Sequence, residues 1–369
     1  MPNFNGQLRH NENFGAMYNM LISQLVFADN IRGKNDALVN RAKVDGSMYG
    51  DQKLYYSTDA LHSYEWGKDA AAQNLLALHR PEAPDVQAIV LDQFRQIALT
   101  LDNYLTKRAF MDEGSFASFN SVMQGWIGET KDIIDSTTYN VYIGTTKTTV
   151  GKQDYKIDLT TATEGLTGEE KARVRAGTIG AELAKLMTDL TDISRDFNDY
   201  GKLRSLAEGD LLFVWNSDYV AEIEKRDLPT IFHKEGLVDK FAQYVLPARY
   251  FGDVNGASVT DSNGTTIRSL IEQEVTTTAG KKYQLFAGDI IPAGVKLVNS
   301  GNIVVPSYTV NSKVICKIIH KDSVPYMSAF EVGTSFFNPM SLTTTNYLTW
   351  GRNTLEYLKN YPFITVTEV

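Results

Sequence analysis

The chain has 369 residues, 43% of them apolar and 22% charged, which excludes a disordered or collagen-like polymer and fits one large domain or two to three smaller ones. A single cysteine, Cys316, excludes an internal disulfide framework and any cysteine-based zinc site. The formal net charge of −8 argues against a protein whose main task is gripping nucleic acid, but not against one that merely encloses it. No stretch reads as membrane-spanning: the longest apolar run, Leu211–Trp215, falls far short of the roughly twenty residues required. The first thirty residues do not read as a secretory signal, because they lack a basic start and Ser23 and Gln24 interrupt Leu21–Ala28. The 19 Tyr, 17 Phe and 4 Trp suit extensive interfaces as well as cores.

In chain order, residues 1–44 read as a mildly basic arm rich in Asn and Gly, with one short helix possible over Met17–Ala28. From 45 to 83 come strand-like pieces with little core of their own. Leu54–Ser57 and His62–Trp66 could pair across Thr58–Leu61, and Tyr49, Tyr55, Tyr56, Tyr64 and Trp66 crowd into this stretch. An isolated hairpin is marginal in water, so it packs either on its own domain or on a neighbouring chain. Those five aromatics are the candidate intersubunit contacts.

Pro81 and Pro84 punctuate the chain, and the three- and four-residue recurrence from Val86 to Leu105 predicts a helix over 85–108. The Thr-, Tyr- and Val-rich stretch Thr137–Thr161 predicts strands. Thr167 and Glu170 form a capping-box pattern ahead of a second helix, whose seam runs from Ala176 through Ile193 to Phe197. That seam fits a core-facing helix or a short coiled coil, and its stop at Gly201 favours the core. Leu211–Trp215 predicts a buried strand, with Asn216 or Ser217 capping a short helix that ends near Asp227. Residues 252–264 are turn chemistry, and the remainder predicts strands at Tyr283–Phe286, Val295–Val298, Ile303–Val305, Val314–His320 and Phe363–Val366. The mixture without βαβ alternation predicts an α+β fold.

Motifs for chemistry are missing. His10, His62, His79, His233 and His320 show no metal-ligand spacing, and there is no phosphate-binding, dinucleotide or nucleophile-elbow motif. Asp253-x-Asn255-Gly256 and Asp261-x-Asn263-Gly264 open like calcium loops, but no later ligand or closing Glu arrives in frame. The expectation is therefore no enzyme, no cofactor, no metal and no catalytic residue.

The order of elements is more informative than any motif. An arm, an aromatic segment, a long helix, strands, a capped helix and the unit Gly209-Asp210-Leu211-Leu212-Phe213-Val214-Trp215-Asn216-Ser217-Asp218-Tyr219 resemble the major capsid proteins of tailed double-stranded DNA bacteriophages, with the Hong Kong 97 fold. His320-Lys321-Asp322-Ser323-Val324-Pro325 and Trp350-Gly351-Arg352-Asn353 before a terminal strand look like that family too. The resemblance implies an N-terminal arm at 1–44, an extended loop at 45–83, and a peripheral domain at 84–165 with a spine helix at 85–108. It implies an axial domain at 166–319, a return to the peripheral domain at 320–349 and a C-terminal axial strand at 350–369. A spine starting by residue 85 leaves no room for a fused scaffold, so a separate scaffolding protein is implied, with a portal protein and further copies of the chain as partners. The product would be an icosahedral or prolate shell, assembled in the host cytoplasm and found in the virion, enclosing DNA without sequence-specific binding and involving no membrane. An encapsulin-like compartment shares the fold, and a secreted carbohydrate-binding or carbohydrate-active protein is the alternative from another class.

Overall fold

The computed structural model describes residues 36–46, 50–63, 78–102, 113–148, 150–224 and 242–369. In chain order these form α1 (Ala37–Ala42), β1 (Lys43–Asp45), β2 (Gln52–Ser57), β3 (Asp85–Asp102), α2 (Glu113–Thr145), β4 (Asp154–Ile157), α3 (Leu159–Ala162), α4 (Gly168–Thr191), β5 (Leu211–Asn216), α5 (Ser217–Glu224) and β6 (Ala242–Leu246). Short strands follow: β7 (Gly252–Val254), β8 (Ile267–Ser269), β9 (Gln273–Thr276), β10 (Lys282–Leu285), β11 (Val298–Asn299), β12 (Asn302–Ile303) and β13 (Ser307–Val310). The chain closes with β14 (Val314–His320), β15 (Tyr326–Asn338), β16 (Thr343–Asn353) and β17 (Phe363–Glu368). Two compact units result, one within Met1–Asp51, Val90–Tyr139 and Tyr326–Thr354, the other within Gln52–Ile89, Asn140–Pro325 and Leu355–Val369.

The first unit is built on a long antiparallel ladder. β15 and β16 pair from Asn338↔Thr343 down to Ser328↔Arg352, β3 pairs with β16 from Asp102↔Thr343 to Leu91↔Asn353, and β1 adds in parallel to the base of β15. The helix expected over 85–108 is thus a correction: Asp85–Asp102 is an 18-residue strand. From Val86 to Leu101 its burial alternates strictly, with Ile89, Leu91, Ile97, Leu99 and Leu101 turned inward and Val86, Val90, Phe94 and Thr100 outward. Apolar residues on both faces satisfy a helical period as well as a period of two. Cross-strand bonds decide in favour of the ladder, with Gln96 Nε2 donating to Thr349 Oγ1 at 3.0 Å and the Thr100 and Thr345 hydroxyls 3.0 Å apart.

The long helix lies further on, at α2, about 50 Å at 1.5 Å per residue. It overturns the strands expected from Thr137, because the sheet begins only at Asp154 and Leu159–Ala162 is a short helix. Threonines survive inside α2 by donating to carbonyls four residues back: Thr130 to Trp126, Thr137 to Ile133 and Thr145 to Val141, at 2.7–2.8 Å. In the first unit α2 contributes a buried polar centre. Tyr326 Oη donates to Asp135 Oδ1 at 2.5 Å, Lys131 lies 3.3 Å from Asp135 and 3.4 Å from Glu331, and Trp350 is buried beneath the Lys131 ammonium. Burial works against the Lys131 charge, but Asp135 and Glu331 outweigh it and raise its pKa.

The second unit centres on a five-stranded sheet in the order β4-β17-β14-β5-β6. All seven residues of β14 are buried, as a central strand covered on both faces requires. The stripe Ala176, Ile179, Leu183, Leu186 and Leu190 of α4 packs on Phe213, Ile318, Ile364 and Val366, so this helix faces the core. Two details differ from expectation. The Thr167 side chain makes no capping bond, and α4 ends at Thr191, which leaves Ile193 65% exposed and Phe197 buried outside the helix. Asn216 Oδ1 accepts from the Asp218 amide at the start of α5, as a cap should; Asp227 lies outside the described residues. Within this unit, β7–β13 enclose a separate small core of Ile267, Val275, Leu285, Ile291, Val295 and Leu297. The chain enters and leaves it through one paired step, Gly252↔Val310. Asn263 Oδ1 accepts from the Thr265 and Thr266 amides, a tight turn as read from the sequence.

Candidate assembly surface

Apolar side chains left uncovered on a defined backbone mark the places where a chain can meet another surface. Of the five aromatics singled out by sequence, Tyr49, Tyr64 and Trp66 lie outside the described residues. Tyr55 and Tyr56 stand on β2, where burial alternates: Tyr55 is half-buried, while Tyr56 is 63% exposed beside Leu54 on the outward face. β2 does not pair with residues 62–63, which are not strand; its ladder neighbour is β3. Burial raises the Tyr55 pKa, and the nearby Asp322 and Tyr361 add to the shift.

Just beyond β2 the chain turns at Asp59. Its carboxylate accepts from Arg195 Nη1 at 2.5 Å and from the amides of Ala60 at 2.8 Å and Leu203 at 3.1 Å. The Arg195 bond above all, then the two amides, holds the Asp59 pKa down at about 2.

Sequence reading missed a second uncovered set, at the turn between β15 and β16 in the first unit. Phe336, Phe337, Met340 and Leu342 are all exposed there, Met340 at 95%. Asn338 Oδ1 accepts from the Met340 amide, and Leu342 takes a positive φ of 53°, so the turn presents these side chains on a defined backbone. The signal was present as adjacent Phe336 and Phe337 in a Thr- and Ser-rich hairpin, where strict alternation would turn only one of them to solvent.

The buried ionisable groups elsewhere are engaged in structure. Lys317 is fully buried, with Nζ donating to Thr146 O and Thr365 Oγ1 at 2.7 Å each, and burial lowers its pKa to about 7. Arg175 grips Glu368 through two bonds of 2.9 Å, and Tyr219 Oη donates to the same carboxylate at 2.7 Å. Among the described residues no group of three or more His, Cys, Asp or Glu is arranged to hold a metal, and no helix is long and apolar enough to cross a membrane.

No family model matches the sequence, and no curated protein matches it. Among solved structures the chain is similar to one in the capsid structure of Staphylococcus phage Andhra, at 12% identity and a TM-score of 0.57, covering 89% of this chain and 83% of that one. It is similar in the same degree, at 12% identity, a TM-score of 0.58 and the same coverage, to a chain in the structure of head fiber and inner core protein gp22 of native bacteriophage P68. Identity this low speaks for architecture alone, and over most of its length this chain has the α+β fold of a phage capsid structure.

Proposed function

We propose that the chain is the major capsid protein of a tailed double-stranded DNA phage, a Hong Kong 97-like subunit that assembles with copies of itself into the virion shell. The observation that carries this reading is the likeness of fold to the Andhra capsid chain across 89% of the sequence. The role is structural and not enzymatic. In this reading α2 is the spine helix, the ladder of β3, β15 and β16 belongs to the peripheral domain, the β14-centred sheet forms the axial domain, and the segment between β2 and β3 is the extended loop. The net charge of −8 supports a wall that surrounds DNA without clamping it, and a scaffolding protein and a portal protein are its assembly partners.

Many weak, symmetric contacts suffice to close such a shell. Electron microscopy of the purified full chain across a concentration series tests the reading. Closed particles, tubes or sheets built from regular capsomers are expected. A chain that stays monomeric at every concentration, with and without a molecular crowder, refutes it. Tyr56→Ala should leave the subunit folded and weaken assembly, because a buried aromatic anchor at an interface typically contributes about 2 kcal/mol or more.

A further inference from the structure

The root of the 58–84 segment is held by groups that lie far from it in sequence. Lys202 is 8% exposed residue-wise, and its Nζ makes two bonds of 2.5 Å, one to Ser57 O on the strand that enters the segment and one to Asp85 Oδ2 on the strand that leaves it. One ammonium therefore ties both sides of the excursion. Arg204 works beside it: Nη2 donates to Thr58 O at 2.7 Å and Ser57 Oγ at 3.1 Å, and Nε donates to Asn360 Oδ1 at 3.0 Å. Ser57 Oγ donates to the same Asn360 oxygen at 2.6 Å, and Arg195 holds Asp59.

The platform that carries these cations is itself fixed. Asn198 Oδ1 accepts from the Lys202 amide at 2.9 Å while its Nδ2 donates to Lys202 O at 2.7 Å, and Gly201 makes the turn between them at a φ of 62°. Ser194 and Arg204 exchange backbone bonds of 2.9–3.0 Å across the base of the loop. The arrangement costs a buried charge, which a protein keeps only where the geometry is well satisfied.

We propose that Lys202, with Arg195, Arg204 and Asn360 as supports, is a clasp that fixes both strands at the root of the 58–84 segment and so sets the direction in which the segment meets a second copy of this chain. The second half of this inference rests on the shell reading above; the first half does not. Direction matters because a tilt at a root grows with distance from it, and a packed interface tolerates little displacement.

The test uses the full chain carrying Lys202→Met, and separately Asp85→Asn, whose half-exposed side chain can be changed without emptying a buried site. Amide hydrogen exchange is read on unassembled protein, and particle size is read by electron microscopy. In both variants the amides of 52–59 and 85–89 should exchange about tenfold faster or more, while β5, β14 and β17 keep their protection. Particles should become heterogeneous in diameter or fail to close. Unchanged exchange at the root overturns the clasp. Faster exchange with particles of unchanged diameter overturns its part in orienting the segment. A wild-type chain that forms no particles sinks the shell reading and the orienting role with it, while the exchange measurement still decides the clasp.

Discussion

The same substitution, glycine to alanine, should have opposite signs at two places in α2. A Cβ built on Gly144 would sit 2.1 Å from the carbonyl oxygen of Tyr250 and 2.7 Å from its carbon, whereas one built on Gly128 meets nothing within 4 Å. The atoms crowding Gly144 are backbone, so no side-chain rotation relieves the overlap; helix or corner must move by about an ångström to restore ordinary contact. Both variants gain the helical preference of alanine over glycine, up to about 1 kcal/mol. At Gly128 nothing opposes it, and the variant should be more stable by that amount or somewhat less. At Gly144 the overpacking cost, typically about 1–3 kcal/mol and here at the upper end or beyond because the obstacle is main chain, should exceed the gain and leave a net loss of about 2 kcal/mol. Calorimetry of the two variants beside the parent reads this as melting shifts of opposite direction, about 2 °C per kcal/mol for a chain of this size. If Gly144→Ala melts at or above the parent temperature, the close approach of α2 to Tyr250 does not exist as described.

Two further outcomes follow from the burial pattern and from Lys317. Leu91→Ala should cost about 2–5 kcal/mol in denaturant unfolding, while Val90→Ala, at a 39% exposed position one residue away, should cost less than about 1 kcal/mol; equal losses would refute the alternation of β3. The Lys317 pKa falls from 10.5 to about 7 on folding, so between those values the unfolded chain binds more protons than the folded one, and stability rises with pH across that window. Below about pH 7 the folded protein bears the full penalty of a buried ammonium. Lys317→Met removes the dependence, so its stability advantage over the parent should shrink by roughly 1 kcal/mol per pH unit from pH 7 to pH 10; a constant difference would show that Lys317 stays charged in the fold.

What the sequence made legible follows from how many residues agree on one period. The stripe of α4 is unbroken from Ala176 to Leu190 against a polar opposite face, and it lies where the pattern puts it. β5, β14 and β17 are short apolar runs of strand length and form the buried centre of their sheet. α2 was hidden for the opposite reason. Its interior side includes Lys131, Asp135, Ser136 and Asn140, so hydrophobicity traces no stripe, and its threonines and β-branched residues advertise strand. Tertiary burial and the back-bonded hydroxyls override that preference. The clasp was beyond sequence reading altogether, since Ser57, Asp85, Lys202, Arg204 and Asn360 show no mutual spacing until the fold assembles them.

The misreading of β3 carries information about the surface. A strand buried on one side and solvated on the other shows a clean alternation of apolar and polar residues, and such a pattern could hardly have been taken for a helix. β3 departs from it because Val86, Val90 and Phe94, all on the outward face and each more than a third exposed, are apolar where a solvated strand would carry charge. Those residues filled in the helical period. An outward face of polar residues would have served solubility better in a chain that stays alone, and the turn at Phe336 to Leu342, in the same unit as Val90 and Phe94, departs from that rule in the same way. For a subunit whose folded state is only half of its final packing, apolar residues facing outward are the expected composition. Under the proposed shell function the ambiguity of the pattern would have a physical cause: the sequence of β3 would answer to two sets of neighbours, one within the chain and one beyond it.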